Sequence, residues 1–276
     1  MASVLTNIRA ELVKQAHRPA SWLLLALAGV LTLTFGYGIP YAGFTGTASG
    51  APGADSDLAS MLPEMFLGNA VGGLPVFAGA LALIFGVLVA GGEYGWQTWK
   101  TVLAQRPART TVYTAKLATL AVGTLLGVLT LCAVTATASA LIAVVESQPF
   151  DWPGPLALAF GAGAGWLVAF MWASLGVVLA IALRGVALPI GLGLVWLLAV
   201  QNLLATIAAP LLDWVADAQE WLPGPNAGAL AYAVGTRNTP GVSDIVEPGH
   251  ATLVVVAYLL AFCVAGGWLL RRRDIA

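Results

Sequence analysis

Charged residues are scarce in this chain of 276 residues, because they make up 9% of it, against roughly 25% in ordinary globular domains. Hydrophobic residues make up 59%, and the mean hydropathy is +0.87. A soluble fold needs enough polar groups to cover its surface, and this composition does not supply them. The sequence therefore predicts a membrane protein. Its net charge of −1 gives no reason to expect a nucleic-acid partner.

Residues that carry catalysis or bind cofactors are also scarce. None of the three lysines lies in a G-x-x-x-x-G-K-[ST] sequence, which excludes a P-loop ATPase within this chain. Two histidines, His17 and His250, are too few for a two-haem bundle, while Cys132 and Cys263 lie in apolar stretches where a thiol is usually a small apolar filler. No metal-ligand spacing occurs. We therefore expect no catalytic residue, no metal site and no cofactor bound by this chain.

Six charge-free stretches are long enough to cross a bilayer core of about 30 Å, which requires about 20 apolar residues in a helix. They cover residues 22–40, 65–92, 117–145, 156–183, 186–209 and 251–270. Between the fourth and fifth stretches, Arg184-Gly185 predicts a tight turn. No stretch alternates apolar and polar residues as β-barrel spans do. The predicted fold is a single all-α polytopic transmembrane domain, 1–276, with six transmembrane helices.

The charges between these spans divide by side. One side receives the N-terminus, the loop 93–116, Arg184 and the C-terminus, and it holds eleven of the twelve basic residues with three acids. The other side holds ten acids and a single basic residue, Arg237. Because basic residues concentrate on the cytoplasmic side of membrane proteins, this pattern places both termini in the cytoplasm and the loop 210–250 outside.

Residues 1–21 predict an amphipathic helix, because apolar residues recur at helical spacing opposite charged ones. The apolar residues are Leu5, Ile8, Leu12 and Ala16, and the charged ones are Arg9, Glu11, Lys14 and Arg18. We expect this helix to lie on the cytoplasmic leaflet, in contact with membrane lipid, and to turn into the first span at Pro19. A frayed basic tail is the alternative.

Polar residues inside the spans are few. The spans contain no Asp, Glu, Lys, Arg or His apart from Arg184 at its turn, which argues against proton-coupled transport. Asn69, Gln201 and Asn202 are amides that either bond neighbouring helices or line a substrate path.

Two other function classes stay open on the residues alone, an ion-coupled secondary carrier and an intramembrane enzyme. Ser174 and His250 form the one pair from which an intramembrane serine protease could be built. The sequence around Ser174 lacks the G-x-S-G setting of that class, so a role in helix packing is favoured.

The loop 93–116 has a pattern of its own. It predicts a short helix that ends at Pro107, with Trp96, Trp99 and Leu103 on one face and Lys100 on another. In one interpretation this helix lies in the lipid headgroups. In the other, its apolar face docks into a groove on a cytoplasmic partner.

At these residues the sequence resembles the membrane subunits of ABC transporters in the type-two permease family, which has the type V exporter fold. The family pattern is a Glu at the end of the second span, then Gly-x-x-Thr, a Leu, a Pro-x-Arg and a Lys that opens the third span. The matching residues here are Glu93, Gly95, Thr98, Leu103, Pro107, Arg109 and Lys116. The amphipathic helix with Glu11 followed by Lys14, and the terminal Arg272-Arg273-Asp274-Ile275, are similar to the same family.

The resemblance implies a division of labour between chains. A separate P-loop ATPase, present as a dimer, would bind ATP and Mg²⁺, and a second permease subunit, identical or paralogous, would complete the pathway. The loop would act as the coupling helix. Its coupling residues would be Glu93, Gly95, Trp96, Thr98, Trp99, Lys100, Leu103, Arg106, Pro107, Arg109 and Lys116.

Two further expectations follow from the resemblance. Glu93 would face the N-terminal helix or the ATPase, with Lys100 or Arg109 as candidate basic partners. The outer segment 210–250 would carry short helices that return partway into the membrane, for which an exposed acidic loop is the alternative. Because the family consists mostly of exporters and the spans carry no charge, we expect export of an apolar or amphipathic cargo across a bacterial inner membrane.

Overall fold

The structure, a computed structural model, describes residues 4–47, 57–95, 108–237 and 239–272. It is 82% helical, and no strand occurs within those ranges. Five helices are long and apolar enough to cross a membrane by length and composition. An all-helical membrane fold is therefore confirmed, whereas the count of six spans and the orientation of the termini stay predictions.

Ten helices are labelled here in chain order. They are α1 (Val4–Ala16), α2 (Pro19–Phe44), α3 (Phe66–Val71), α4 (Phe77–Gly95), α5 (Arg109–Val145), α6 (Pro155–Leu183), α7 (Ala187–Leu203), α8 (Asp213–Gln219), α9 (Pro223–Ala233) and α10 (Pro248–Arg272). The long apolar helices are α2, α4, α5, α6 and α10. Two short 3-10 turns, Leu58–Met61 and Pro63–Met65, precede α3.

The N-terminal helix is separate from the first long helix. α1 ends at Ala16, and Pro19 occupies the first turn of α2. The residue before a proline is pushed away from helical dihedrals, and Arg18 accordingly has φ −86° and ψ 117°. The turn predicted at Pro19 is therefore present, although the helix ends five residues before residue 21.

The predicted span 65–92 is divided in the structure. A turn through residues 72–76 separates α3 from α4, so the long helix begins at Phe77. The sequence there is Gly72-Gly73-Leu74-Pro75, and adjacent glycines followed by a proline oppose a continuous helix even in an apolar run.

The loop 93–116 is shorter than its sequence suggests. α4 continues to Gly95, and α5 begins at Arg109 instead of residue 117. Hydropathy locates the part of a helix that fits in lipid, but a helix of 37 residues is about 55 Å long at 1.5 Å per residue and extends beyond a bilayer core of about 30 Å. Arg109 and Lys116 are therefore helical residues, not loop residues.

The predicted turn at Arg184-Gly185 is present. Arg184 follows the last residue of α6 with left-handed dihedrals, φ 52° and ψ 43°. The helix after it is irregular, since α7 contains a π-helical segment at Val195–Val200 and a second one follows at Leu204–Ala208. α7 is shorter than the five long helices, so residues 186–209 are the predicted span that the structure supports least.

The segment 210–250 contains two short helices, α8 and α9, followed by a mostly exposed stretch without helix, so it combines features of both alternatives. Residues 223–231 of α9 are all buried, and α9 packs mainly against α10. Gly228 is necessary because a Cβ there would overlap the carbonyl oxygen of Gly241. Thr236 Oγ1 donates a hydrogen bond of 2.6 Å to the carbonyl oxygen of Gly68. This segment therefore closes one end of the bundle, while its depth in the membrane stays a prediction.

α4 and α6 cross at the centre of the bundle with their backbones in contact. A Cβ on Gly86 would overlap the carbonyl oxygen of Ala173, and a Cβ on Gly176 would overlap that of Leu83. Trp172 and Met171 of α6 are fully buried beside this crossing. Small residues at such positions let membrane helices approach closely.

The close contact at this crossing predicts how a substitution of Gly176 changes the free energy of unfolding. Gly176→Ala should destabilise the protein by about 2 kcal/mol, because the added methyl group forces α4 and α6 apart. Gly163→Ala is the matched control on the same helix, since a Cβ there meets no atom within 4 Å. Thermal unfolding of the detergent-purified protein should give a lower Tm for Gly176→Ala alone. Equal Tm values for the two variants would contradict the close crossing.

Candidate functional site

Glu93 lies near the C-terminal end of α4 and is almost fully buried, with 4% of its surface exposed. Its Oε1 atom forms an ion pair with Lys14 of α1 and another, at 3.1 Å, with Lys116 of α5. One carboxylate therefore joins three helices.

Lys116 is the most deeply buried charged group of this region, with 1% of its surface exposed. Its Nζ atom donates to Glu93 Oε1 at 3.1 Å, to Glu11 Oε1 at 3.2 Å and to the carbonyl oxygen of Val89 at 3.0 Å. An ammonium group has three donors, so these three acceptors satisfy it completely.

Glu11 and Lys14 complete the cluster from α1. They lie one helical turn apart, and Lys14 Nζ is 3.0 Å from Glu11 Oε1. Each carboxylate contacts both lysines, so Glu11, Lys14, Glu93 and Lys116 form a closed ring of alternating charge. We call these four residues the ionic junction.

The ionic junction contains two positive and two negative charges, so its net charge is zero. Taking isolated charges out of water is costly, and the cost is offset only where partners and hydrogen bonds are in place. Arg18 adds a third cation beside α4, and its Nη1 donates to the carbonyl oxygen of Leu88 at 2.9 Å.

Gly92 provides the space for Arg18. A Cβ on Gly92 would lie 2.9 Å from Arg18 Nη2. The glycine therefore allows the guanidinium to lie against the last turns of α4. Arg18, which lies between α1 and α2, therefore ties this part of the chain to α4.

A second set of bonds ties the start of α5 to the end of α10. Arg109 Nη1 donates to the carbonyl oxygens of Leu270 and Arg271, each at 3.3 Å. Tyr113 donates its hydroxyl to the carbonyl oxygen of Cys263 at 2.7 Å. Residues near both ends of the chain therefore lie at the same end of the bundle as the ionic junction.

The predicted coupling residues fall into two groups. Glu93, Gly95, Arg109 and Lys116 lie in described helices, whereas Trp96, Thr98, Trp99, Lys100, Leu103, Arg106 and Pro107 lie outside the described residues. Of the two orientations expected for Glu93, the structure has the one that faces the N-terminal helix. Within the described ranges its basic partners include Lys14 and Lys116, whereas Arg109 donates to carbonyl oxygens of α10; Lys100 lies outside those ranges. Their part in coupling to an ATPase stays a prediction.

The three amides predicted to line a substrate path are not brought together into one cavity. Asn69 of α3 donates to the carbonyl oxygen of Ser60 at 3.0 Å. Gln201 is buried and shares a small cavity of about 40 Å³ with Asn202 and Gln219. Asn202 also donates to the carbonyl oxygen of Leu198 at 2.9 Å. A role in a substrate path stays a prediction for all three.

The structure separates the residues that a serine protease would need. Ser174 lies in α6, where its hydroxyl is 3.9 Å from Cys263 Sγ of α10. His250 lies thirteen residues earlier on α10, which is about 20 Å along the helix at 1.5 Å per residue. Its ring bonds the carbonyl oxygen of Glu220 at 2.9 Å. Ser174 is therefore a packing residue with no histidine in reach.

The pairing within the ionic junction can be measured. Glu93→Gln and Lys116→Gln should each destabilise the protein by about 3 kcal/mol, because each leaves a buried opposite charge with one partner fewer. The double variant should lose much less than the sum, since both charges are removed together. Arg9→Gln, an exposed basic residue of α1, is the matched control and should have no effect. Additive losses in unfolding measurements in detergent would show that the two residues are not coupled.

Comparison with known proteins assigns the chain to a family. Residues 7–200 match the family described as ABC-2 family transporter protein. The matched range covers more than half of the chain and includes all four residues of the ionic junction. No curated protein sequence matches the chain significantly. The chain therefore belongs to the ABC-2 family of transporters and is a multi-pass membrane permease.

Proposed function

We propose that this chain is the permease subunit of an ATP-driven exporter and that a separate ATPase hydrolyses the ATP. The observation that carries the proposal is the ionic junction, which joins α1 to the two helices that flank residues 96–107. α4 ends at Gly95 and α5 begins at Arg109, so a force applied between them acts on both helix ends.

The ionic junction is suited to transmit that force. Displacing α4 relative to α1 would break the ion pair of Glu93 with Lys14, and displacing α5 relative to α1 would break the ion pair of Lys116 with Glu11. Because uncompensated buried charges are costly, the three helix ends should move as one body. Arg109 extends this body to α10 through its bonds to the last carbonyl groups of that helix.

The partner ATPase follows from family membership and from the sequence. Permeases of this family work with an ATPase, and the chain has no P-loop of its own. ATP and Mg²⁺ would then bind to a dimer of ATPase subunits. The apolar face predicted from Trp96, Trp99 and Leu103 would be the surface that contacts the ATPase. α1 would lie on the cytoplasmic leaflet of a bacterial inner membrane.

A second permease subunit, identical or paralogous, would face this one across the transport pathway. Apart from the ionic junction and the cations around it, the long helices carry no charged residue away from their ends. Charged residues inside transmembrane segments usually mark ion paths and coupling sites. The apolar helices therefore suit an apolar or amphipathic cargo, and the family favours its export.

The coupling role of the loop is tested by placing two charges in it, one of them on its predicted apolar face. A permease that carries Thr98→Asp and Leu103→Asp should still fold but should lose stimulation of the co-purified ATPase. Phe150→Asp is the matched control, because Phe150 is an exposed apolar residue in the segment between α5 and α6. ATPase activity of the reconstituted complexes is the measurement. The proposal fails if the tagged wild-type chain captures no ATPase, or if the loop variant couples as well as the Phe150→Asp control.

The nature of the cargo is tested separately in inverted membrane vesicles. We expect ATP-dependent uptake of lipophilic cations or lipid-like amphiphiles and none of a strongly hydrophilic charged solute. Vesicles with the loop variant serve as the control for ATP-dependent transport. Uptake of the hydrophilic solute alone would contradict the expected cargo, and uptake driven by an ion gradient without ATP would favour a secondary carrier.

A further inference from the structure

An apolar cavity of about 300 Å³ lies between α2, α4 and α5, next to the end of α1. Its walls consist almost entirely of apolar side chains, among them Leu25, Ala28, Leu81, Phe85 and Leu131. The volume is at the lower end of those typical for small-molecule sites. None of the residues proposed for ATPase coupling or for the substrate path lines it.

Three buried polar residues line this cavity, and two of them, Gln15 and Thr119, have an unpaired atom, whereas Thr124 Oγ1 donates to the carbonyl oxygen of Leu120. Gln15 of α1 is 6% exposed and Thr119 of α5 is 1% exposed. Ser21 Oγ donates to Gln15 Oε1 at 3.4 Å, so only the amide nitrogen of Gln15 still needs a partner. Across the part of the chain that the structure describes, Gln15 Nε2 and Thr119 Oγ1 have no hydrogen-bond partner. Buried polar groups are normally paired, so two of them in one cavity indicate a ligand that pairs with them.

The two unpaired polar groups lie at one end of the cavity. Gln15 follows Glu11 by one helical turn on α1, and Thr119 follows Lys116 by one turn on α5, so both lie next to the ionic junction. Leu131, which also lines the cavity, is twelve residues beyond Thr119. That separation is about 18 Å along a helix. The cavity is therefore elongated, with a polar end and an apolar body.

The cavity is open at the side of the bundle. Trp22 and Leu126 line it, and they are 59% and 58% exposed. In a membrane protein, exposed apolar side chains along a long apolar helix face lipid. A molecule from the surrounding leaflet can therefore enter without crossing the polar surface of the protein.

We propose that this cavity binds one acyl chain of a phospholipid from the adjacent leaflet. The ester carbonyl of the lipid accepts hydrogen bonds from Gln15 Nε2 and Thr119 Oγ1, and the chain lies along the apolar walls. Among the described residues, no cation lines the cavity. An ester carbonyl is a neutral acceptor that suits this lining, whereas a phosphate would bring a charge that no lining residue neutralises.

This site goes beyond the proposed transport function, because binding of a lipid requires neither ATP nor the ATPase. Failure of lipid binding would leave the ATPase experiment unaffected, and the reverse also holds. The site also lies against α1, so an occupant contacts the helix that carries Glu11 and Lys14.

The binding experiment uses radiolabelled 1-palmitoyl-lysophosphatidylcholine and the purified full-length permease in detergent, followed by scintillation proximity. The competitor is the matching 1-O-hexadecyl ether, which has the same chain and headgroup but no ester carbonyl. We expect saturable binding, with the ester about tenfold tighter than the ether because the ether loses the hydrogen bonds to the carbonyl.

Two substitutions distinguish lipid binding in the cavity from lipid binding elsewhere on the protein surface. Gly127 lines the cavity, and a Cβ there meets no atom within 4 Å, so Gly127→Leu places a side chain in the cavity without a clash at its Cβ. Gly163→Leu is the matched control, since Gly163 is equally open but lies on α6 outside the cavity. Gly127→Leu should weaken binding more than tenfold, and Gly163→Leu should leave it unchanged.

The polar end is tested by combining Gln15→Leu with Thr119→Val. This variant should bind ester and ether equally, and its ligand-free form should have a raised Tm, because two unpaired buried groups are removed. The proposal is overturned if wild-type protein binds ester and ether equally, or if Gly127→Leu binds lipid as well as Gly163→Leu does. If Gly127→Leu instead converts a dimer into a monomer in light scattering while lipid binding persists, the cavity is a contact between permease subunits.

Discussion

Two buried charges and their two partners on α1 fix the arrangement of helix ends on one side of this permease. Glu11, Lys14, Glu93 and Lys116 neutralise one another in a closed ring, and the buried Glu93 and Lys116 would be unfavourable in their positions without opposite charges beside them. α1 packs against α5, and the ring links it to α4 through the ion pair of Lys14 with Glu93. The ring also places the two ends that flank residues 96–107 beside each other, which is the geometry that a coupling element between an ATPase and the membrane needs.

The rest of the bundle is held by packing between small residues. Backbone contact at Gly86 and Gly176 joins α4 to α6, and the buried helix α9 closes the opposite end through contacts such as Thr236 with Gly68. Neither contact depends on charge. The molecule therefore has one polar, ionically joined end and an apolar body, and the apolar cavity beneath Gln15 and Thr119 lies where the two meet.

Features that depend on local sequence could be predicted, and features that depend on tertiary contact could not. Pro19 and Arg184-Gly185 impose turns through their own backbone preferences, and both turns are present. The break at residues 72–76 has a local signal in two glycines and a proline, but hydropathy alone predicts a continuous helix through the apolar run around it. The pairing of Lys116 with Glu11 joins residues 105 positions apart, and no periodicity encodes it. Gln15 and Thr119 are ordinary polar residues in the sequence, and only their burial beside a cavity distinguishes them.

The central claim is that a rigid connection between α1 and α4 carries the movement of the coupling loop into the membrane. It is tested most directly by replacing Lys14 and Glu93 with cysteines in a chain whose Cys132 and Cys263 are changed to alanine. ATPase stimulation is then measured in the reconstituted complex before and after a short bifunctional thiosulfonate joins the new thiols. The account predicts that stimulation is lost when the ionic connection is removed and returns when the covalent one is made. Full stimulation without the cross-link, or none after it, would contradict the account.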